Sequence, residues 1–324
     1  MLYPFLFKPI LKSVIWGGTD ICSFKGIPST QEDVGESWEI SHVEDNYSVV
    51  DNGELAGKTL DELIQTYGPE LMGKKVVERF GSKFPLLVKF IDACDDLSIQ
   101  VHPDDELAMR RHQSFGKTEM WYVVKAAKGA ALCSGFSRQI NADEYVRRVA
   151  DNTFTDVLKR YEVNAGDVFF LPSGRVHTIG AGCFVAEIQQ ASNITYRIYD
   201  YDRRDANGNG RELHTELAKD AIDYTLLPDY RTHYTSRPNE TVELASCPYF
   251  TTNLLELNQP VTRDFSMLDS FVIYICMAGK ANIKDNKGNE IEVKQGQSIL
   301  IPADTEKVML FPSPEAKLME TFIG

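Results

Sequence analysis

Short β-type segments separated by turn residues dominate this chain and restrict what it can become. FPLLVKFIDA, EMWYVVKA, DVFFLP, CFVAEIQQ, TYRIYDYD, SFVIYICMAG, NEIEVKQG and QSILIPA are rich in β-branched and aromatic side chains and end at Gly, Pro, Asn or Asp. Many short strands with turn signals pack as a sandwich or a barrel, so the expected class is mainly β. Helical spacing is confined to inserts. One covers about 60–80, broken near Gly68-Pro69 into two short helices. A second covers 141–161, with Asn141 and Thr153 as N-caps of two more, and a third covers 212–224.

The pattern repeats. NAGDVFFLPSGRVH (Asn164–His177) aligns without a gap on KQGQSILIPADTEK (Lys294–Lys307), Gly166 on Gly296 and Pro172 on Pro302. Each copy reads as a turn glycine, a buried strand and a terminating proline. Two related β-barrel units follow, 1–240 with the helical inserts and 241–324; 324 residues are enough for both. The copies differ at Gly174, which meets Asp304, and at His177, which meets Lys307. If the motif holds a metal, only the first unit can.

Composition narrows the partners. The net charge is −13 with no long basic run, which argues against nucleic acid or anionic membranes. An anionic ligand would need local Lys or Arg. The six cysteines are scattered without a C-x-x-C pair and read as reduced thiols. The apolar start MLYPFLFKPILKSVIWGG is interrupted by Pro4, Lys8 and Pro9 and lacks the layout of a signal peptide. No apolar run reaches the roughly 20 residues of a bilayer span. The expected location is the cytoplasm.

The candidate chemistry starts at LSIQVHPDDELA, Leu97–Ala108. On a strand, Ser98, Gln100 and His102 share one face and Ile99 and Val101 the other. Pro103 ends the strand and Asp104 can cap a helix. Alone, such a polar face is a solvated edge. GKTEMWYVV adds Lys117 and Glu119, two apart, at the head of a strong strand. LPSGRVHTIGAG adds His177 after a Pro-x-Gly turn. Singly, these read as an edge carboxylate and a hydrogen-bonded structural histidine. Together they make two imidazoles, a carboxylate and an amide oxygen. That set suits zinc with room for water or substrate, and manganese, iron or nickel use the same donors. Arg197, inside the aromatic strand TYRIYDYD, requires an anionic partner if buried. The chain offers Glu187, Asp200 or Asp202; the alternative is a ligand anion or an oxygen that gains charge during reaction.

H-x-H…E…H is the usual cupin ligand pattern; here Gln100 stands for its first histidine, and GDVFFLPSGRVH matches the second cupin motif. The ordered series FKPILKSVIWGG, GESWEIS, PLLVKFIDACDDLSIQVHPDD, GKTEMWYVV, GDVFFLPSGRVHTIGAG and QQASNITYRIYDYDR spans nearly the whole chain. It resembles the type I mannose-6-phosphate isomerases, in their shorter bacterial form. ASNIT varies from the family pattern; TYRIYD does not.

The resemblance implies two cupin jelly-roll barrels, the second (241–324) degenerate and without metal ligands. It implies a zinc-dependent isomerase that interconverts mannose 6-phosphate and fructose 6-phosphate through an enediol(ate). Gln100, His102, Glu119 and His177 fall on the metal ligands, Arg197 on the catalytic arginine, and Ser98, Lys89 and Lys117 on the substrate pocket. With no Gly-rich phosphate loop, the phosphate would be held by Ser98 and Lys89, with Lys117 as an alternative contact. The base would be Lys117, if burial and the metal favour its neutral form, or a hydroxide on the metal. Both a monomer and a homodimer are compatible with the sequence. The competing functions are another metal-dependent cupin sugar-phosphate isomerase, a non-catalytic sugar-phosphate-binding bicupin, and a storage bicupin.

Overall fold

Two facing sheets in the first part of the chain create the interior that matters for function. The computed structural model describes residues 2–28, 33–204 and 208–324. One sheet has seven strands in the order Arg231–Thr232, Val168–Leu171, Glu119–Ala126, Cys183–Gln190, Leu86–Asp92, Val34–Ile40 and Ile10–Ser13. The other has five, in the order Leu158–Glu162, Ala131–Phe136, His177–Ile179, Ile99–Val101 and Tyr196–Tyr199. Their pairings are antiparallel. The chain is mainly β and has the cupin fold expected for it.

Trp16, Ile91, Trp121, Leu132, Phe169, Ile179 and Val185 fill an apolar cluster, with members from both sheets. The opposite face of the seven-stranded sheet is also covered. Val88, Phe90, Met120, Ala186 and Ile188 join Leu63, Leu254, Ile273 and Leu300 in a larger core. Strands buried on both faces read as nearly continuous apolar runs. Cys183–Gln190 is buried throughout, yet it carries Glu187, Gln189 and Gln190. Polar groups in such a strand need partners or a purpose.

The nine-stranded sheet contains the second copy of the repeat. Its long strands Val272–Asp285 and Lys307–Phe322 pair with each other, and Ser298–Ile301 pairs with the former. The N-terminal strand Phe5–Lys8 joins this sheet beside Ser298–Ile301, with Phe5 opposite Leu300. Gly166 and Gly296 both sit in left-handed turns, with φ of 94° and 79°, and each leads into its strand. Only glycine takes such angles without strain, so the repeat is carried by backbone geometry. Lys307, aligned with His177, instead forms a surface ion pair with Asp264.

Three local expectations change. The first insert forms helices Leu60–Met72 and Lys74–Phe80, so the break falls at Gly73 and Pro69 lies within the first helix. The cause is tertiary: the distant Asp269 carboxylate accepts hydrogen bonds from the Lys74 and Lys75 amides at 2.8 and 3.0 Å and restarts the helix. Gly73, at φ 98°, leaves no space there for a Cβ, which would lie 2.3 Å from the Asp269 carbonyl oxygen. In the second insert, Asn141 caps Ala142–Ala150, but Thr153 caps nothing and is followed by a 3-10 turn, Phe154–Val157. Pairing with Ala131–Phe136 then draws Leu158–Glu162 into a strand. In the third insert the helix is Thr215–Ala221. No helix among the described residues is long and apolar enough to cross a membrane.

Candidate metal centre

Two rows of side chains, one from each sheet, define the site. Gln100 pairs with His177 on one side and Arg197 on the other, which sets these three positions side by side across three strands. In the seven-stranded sheet, register aligns Trp38, Lys89, Glu187 and Trp121 across four strands. Glu119 lies one step along from Trp121 on the same face, opposite Gln189.

His102, Glu119 and His177 are buried and bring one ligand atom each to within 4.8 Å of one another. Pro103 and the helix Asp105–His112, capped by Asp104 onto the Leu107 amide at 2.8 Å, fix the chain just beyond His102. Both imidazoles are oriented by backbone carbonyls. His102 Nδ1 lies 2.9 Å from the Ile194 oxygen and His177 Nδ1 lies 2.8 Å from the Arg175 oxygen. A carbonyl can only accept, so each Nδ1 carries the proton and each Nε2 presents a lone pair inward. Burial, with Lys117 nearby, holds both rings neutral: His177 falls to about 4 and His102 well below its ordinary value. Neutral imidazoles are the form that binds metals.

Glu119 is the sharpest indication of a cation site. Both of its oxygens are buried and neither accepts a hydrogen bond. Its neighbours are His177 Nε2 at 3.3 Å, His102 Nε2 at 3.5 Å and Lys117 Nζ at 3.2 Å, an ion pair without hydrogen-bond geometry. Burial raises its pKa despite Lys117. A carboxylate so placed suits a metal ion, whose charge offsets the desolvation. Gln100 Nε2 lies 3.3 Å from His177 Nε2, and half a turn of the amide would bring its oxygen to the same centre. The residues present therefore fit a divalent metal with His–Glu–His donors and an amide alongside.

Above this cluster lies a cavity of about 330 Å³, lined by residues that include Gln100, Lys117, Ser98, Lys89 and Arg197. The eight residues assigned to the site from the sequence thus reach either the buried cluster or the cavity. Lys89 lies between two carboxylates, 3.6 Å from Glu36 and 3.5 Å from Glu187. Burial opposes its charge, but Glu36 and Glu187 outweigh it and raise its pKa. Arg197 makes no ion pair with Glu187, Asp200 or Asp202 among the described residues. Its Nη1 donates to the Glu212 carbonyl at 3.1 Å and its Nε is buried without a partner. Asp200 is already held by Arg203 and Arg211.

Glu187 emerges as a cavity residue only in the fold. Its Oε2 accepts from Trp121 Nε1 at 2.9 Å, while its Oε1 is buried with no hydrogen bond. Burial disfavours its charge, but Lys89 and Lys117 prevail and keep its pKa low. The sequence signal was a carboxylate and two amides within one strand, CFVAEIQQ, whose composition otherwise demands burial.

Fold and site together define a cupin with a buried His–Glu–His cluster beneath a polar cavity. Residues 5–128 match the model of the phosphomannose isomerase type I catalytic domain, and residues 240–313 that of the mannose-6-phosphate isomerase cupin domain. The chain is 38% identical over 250 residues to mannose-6-phosphate isomerase ManA of Bacillus subtilis, covering 76% of this chain and 77% of that protein. It is 33% identical over 303 residues to the mannose-6-phosphate isomerase of Streptococcus mutans, covering 93% of each. The crystal structure of the mannose 6-phosphate isomerase from Bacillus subtilis superimposes with a TM-score of 0.87 at 31% identity, over 98% of this chain and 99% of that one. The chain belongs to the type I mannose-6-phosphate isomerase family, and it is an aldose–ketose isomerase.

Proposed function

We propose that the protein interconverts mannose 6-phosphate and fructose 6-phosphate with one zinc ion held by His102, Glu119, His177 and Gln100. The buried Glu119 carboxylate, which accepts no hydrogen bond and faces two neutral imidazoles, carries this reading. Two imidazoles, a carboxylate and an amide oxygen are N/O donors of the kind zinc accepts while keeping a position open. When bound, the metal supplies Lewis-acid polarisation of the sugar oxygens without redox chemistry.

The chain's own residues do the rest. The two sugars differ by one proton moved between C2 and C1 and one moved between the hydroxyls on those carbons, O2 and O1; removal of the C2 proton leaves an enediolate. Arg197 lies beside Gln100, so its always-protonated fork is placed to stabilise the oxygen that gains charge. We assign Lys117, at the junction of cluster and cavity, as the proton carrier between the two carbons. Glu187 accepts a hydrogen bond from a sugar hydroxyl, and Ser98 and Lys89 complete that wall. Trp16, Trp38 and Trp121 line the same cavity and limit water around the reacting carbons. We retain the division of the chain at 240/241, with the second unit as scaffold.

The test is isomerisation of mannose 6-phosphate labelled with deuterium at C2. Fructose 6-phosphate should form, with part of the label transferred to C1 and part lost to water. Absence of the ketose would reject the function; complete transfer of label to C1 with none lost to water over repeated turnover would reject proton transfer in favour of a hydride shift.

A further inference from the structure

Charge in the cavity is sorted, and the sorting bears on where an anionic group would lie. At one wall the Lys89 ammonium lies between Glu36 and Glu187. Lys117 is occupied by Glu119. A phosphate brought to Lys89 would face two carboxylates, and like charges at such range repel strongly in a buried site.

The opposite end has the reverse balance. Arg197, Arg203 and Arg211 gather around Asp200. Arg211 donates through Nε to Asp200 Oδ2 at 2.7 Å and through Nη2 to Oδ1, and Arg203 Nη2 donates to Oδ1 at 2.7 Å. Asp200 thus serves two guanidiniums, Arg203 also reaches Asp95 at 3.5 Å, and Arg197 makes no ion pair with a carboxylate among the described residues. Arg197 and Arg211 both line the cavity. Burial and the neighbouring Arg211 act against the Arg197 charge and outweigh the support of Asp200 and Glu212. A partly buried surplus of positive charge is costly unless an anion offsets it.

Resting on the sugar-phosphate reading above, we propose that the Arg197–Arg211 end of the cavity is the phosphate subsite, with Arg211 as the principal ligand and Asp200 as the clamp that aligns its fork. Guanidinium planes match phosphate oxygens two at a time. Arg197, beside Gln100, stays with C1 and C2, and the open-chain hexose extends past it so that C6 reaches Arg211. Lys89 then holds sugar hydroxyls, which tolerate its carboxylate neighbours.

The test uses the metal-loaded full chain as wild type, Arg211→Gln, Arg211→Lys and Lys89→Gln. Three quantities are read: KM and kcat for mannose 6-phosphate, Ki for inorganic phosphate as competitor, and bound metal. Arg211→Gln should raise KM and the phosphate Ki together by about 10- to 100-fold, with kcat changed far less and metal retained. Arg211→Lys, which keeps the charge and loses the fork, should raise both by less. Lys89→Gln should leave the phosphate Ki unchanged. An unchanged phosphate Ki in both Arg211 variants, or a rise in Lys89→Gln as large as in Arg211→Gln, overturns the assignment. If Arg211→Gln does not fold, Arg211→Lys decides alone: a several-fold rise supports the subsite and no rise overturns it. A wild type that binds phosphate but does not isomerise mannose 6-phosphate would reject the function and leave the subsite to be judged by calorimetric phosphate binding to the same variants.

Discussion

Lys117 Nζ lies 3.1 Å from His102 Nε2, at the lone pair a metal ion would use. The ammonium also pairs with Glu119 and is a local counter-charge for the cluster. A divalent ion and an ammonium cannot share that space, because their repulsion in a buried site is severe. Lys117 also lines the cavity, where proton transfer is required. Lys117→Met should bind metal at least as well as wild type and lose about 10²- to 10⁴-fold in kcat. Metal content and steady-state kinetics on the same preparation check this; wild-type turnover would remove Lys117 from the mechanism.

Glu119 is the anionic member of the cluster. Glu119→Gln keeps the shape and removes the charge, so metal affinity should fall by at least the roughly 10- to 100-fold that losing a supporting group costs. Activity should return in part at high added metal. Competition with a chromophoric chelator measures the affinity, and an unchanged value would exclude Glu119 as a ligand.

Acid should destabilise the metal-free protein. In the unfolded chain each histidine takes up a proton below about pH 6.5. In the folded chain burial keeps His177 neutral down to about 4 and His102 still lower than its ordinary value. Through that window the unfolded state binds more protons at both histidines, so stability falls as pH falls. Glu119 works the other way, because burial raises its pKa and the folded state holds its proton more firmly. Two groups against one leave a net loss of stability as pH falls from roughly 6.5 toward 4.5. Thermal unfolding of chelated protein should show a lower Tm at pH 5 than at pH 6.5, and His177→Gln should flatten most of that difference. Equal Tm values in the wild type would contradict two buried neutral imidazoles.

Lys89 should matter to stability as well as to substrate. Lys89→Met leaves Glu36 and Glu187 facing each other without their cation. Removing one partner of a buried ion set costs about 3–5 kcal/mol. Denaturant unfolding should show that loss in the variant, and Lys89→Met with Glu187→Gln should recover part of it. A single variant as stable as wild type would mean that the carboxylates relax into solvent.

Much of this centre was legible in the sequence because a strand fixes which residues share a face. Ser98 and Gln100 declared themselves beside Ile99 and Val101, and His102 and Asp104 flank the proline that ends that segment. What stayed hidden depended on contacts between distant segments. Glu187 reads as an odd carboxylate in an apolar strand until pairing aligns it with Lys89 and Trp121. The helix break at Gly73 depends on Asp269, which lies 195 residues beyond Lys74. Thr153 looks like a cap, but sheet pairing decides the fate of the residues after it. The carboxylate partners considered for Arg197 failed for a similar reason: Arg203 and Arg211 reach Asp200 first.

The central claim is that the His102–Glu119–His177 cluster holds the metal that isomerisation requires. It is tested most directly by measuring bound metal per chain and fructose 6-phosphate formation on one preparation, before chelation, after it, and after zinc is restored. The expected result is about one zinc per active chain, loss of turnover in proportion to metal removed, and recovery in proportion to zinc returned. Full turnover by protein stripped of metal would contradict it.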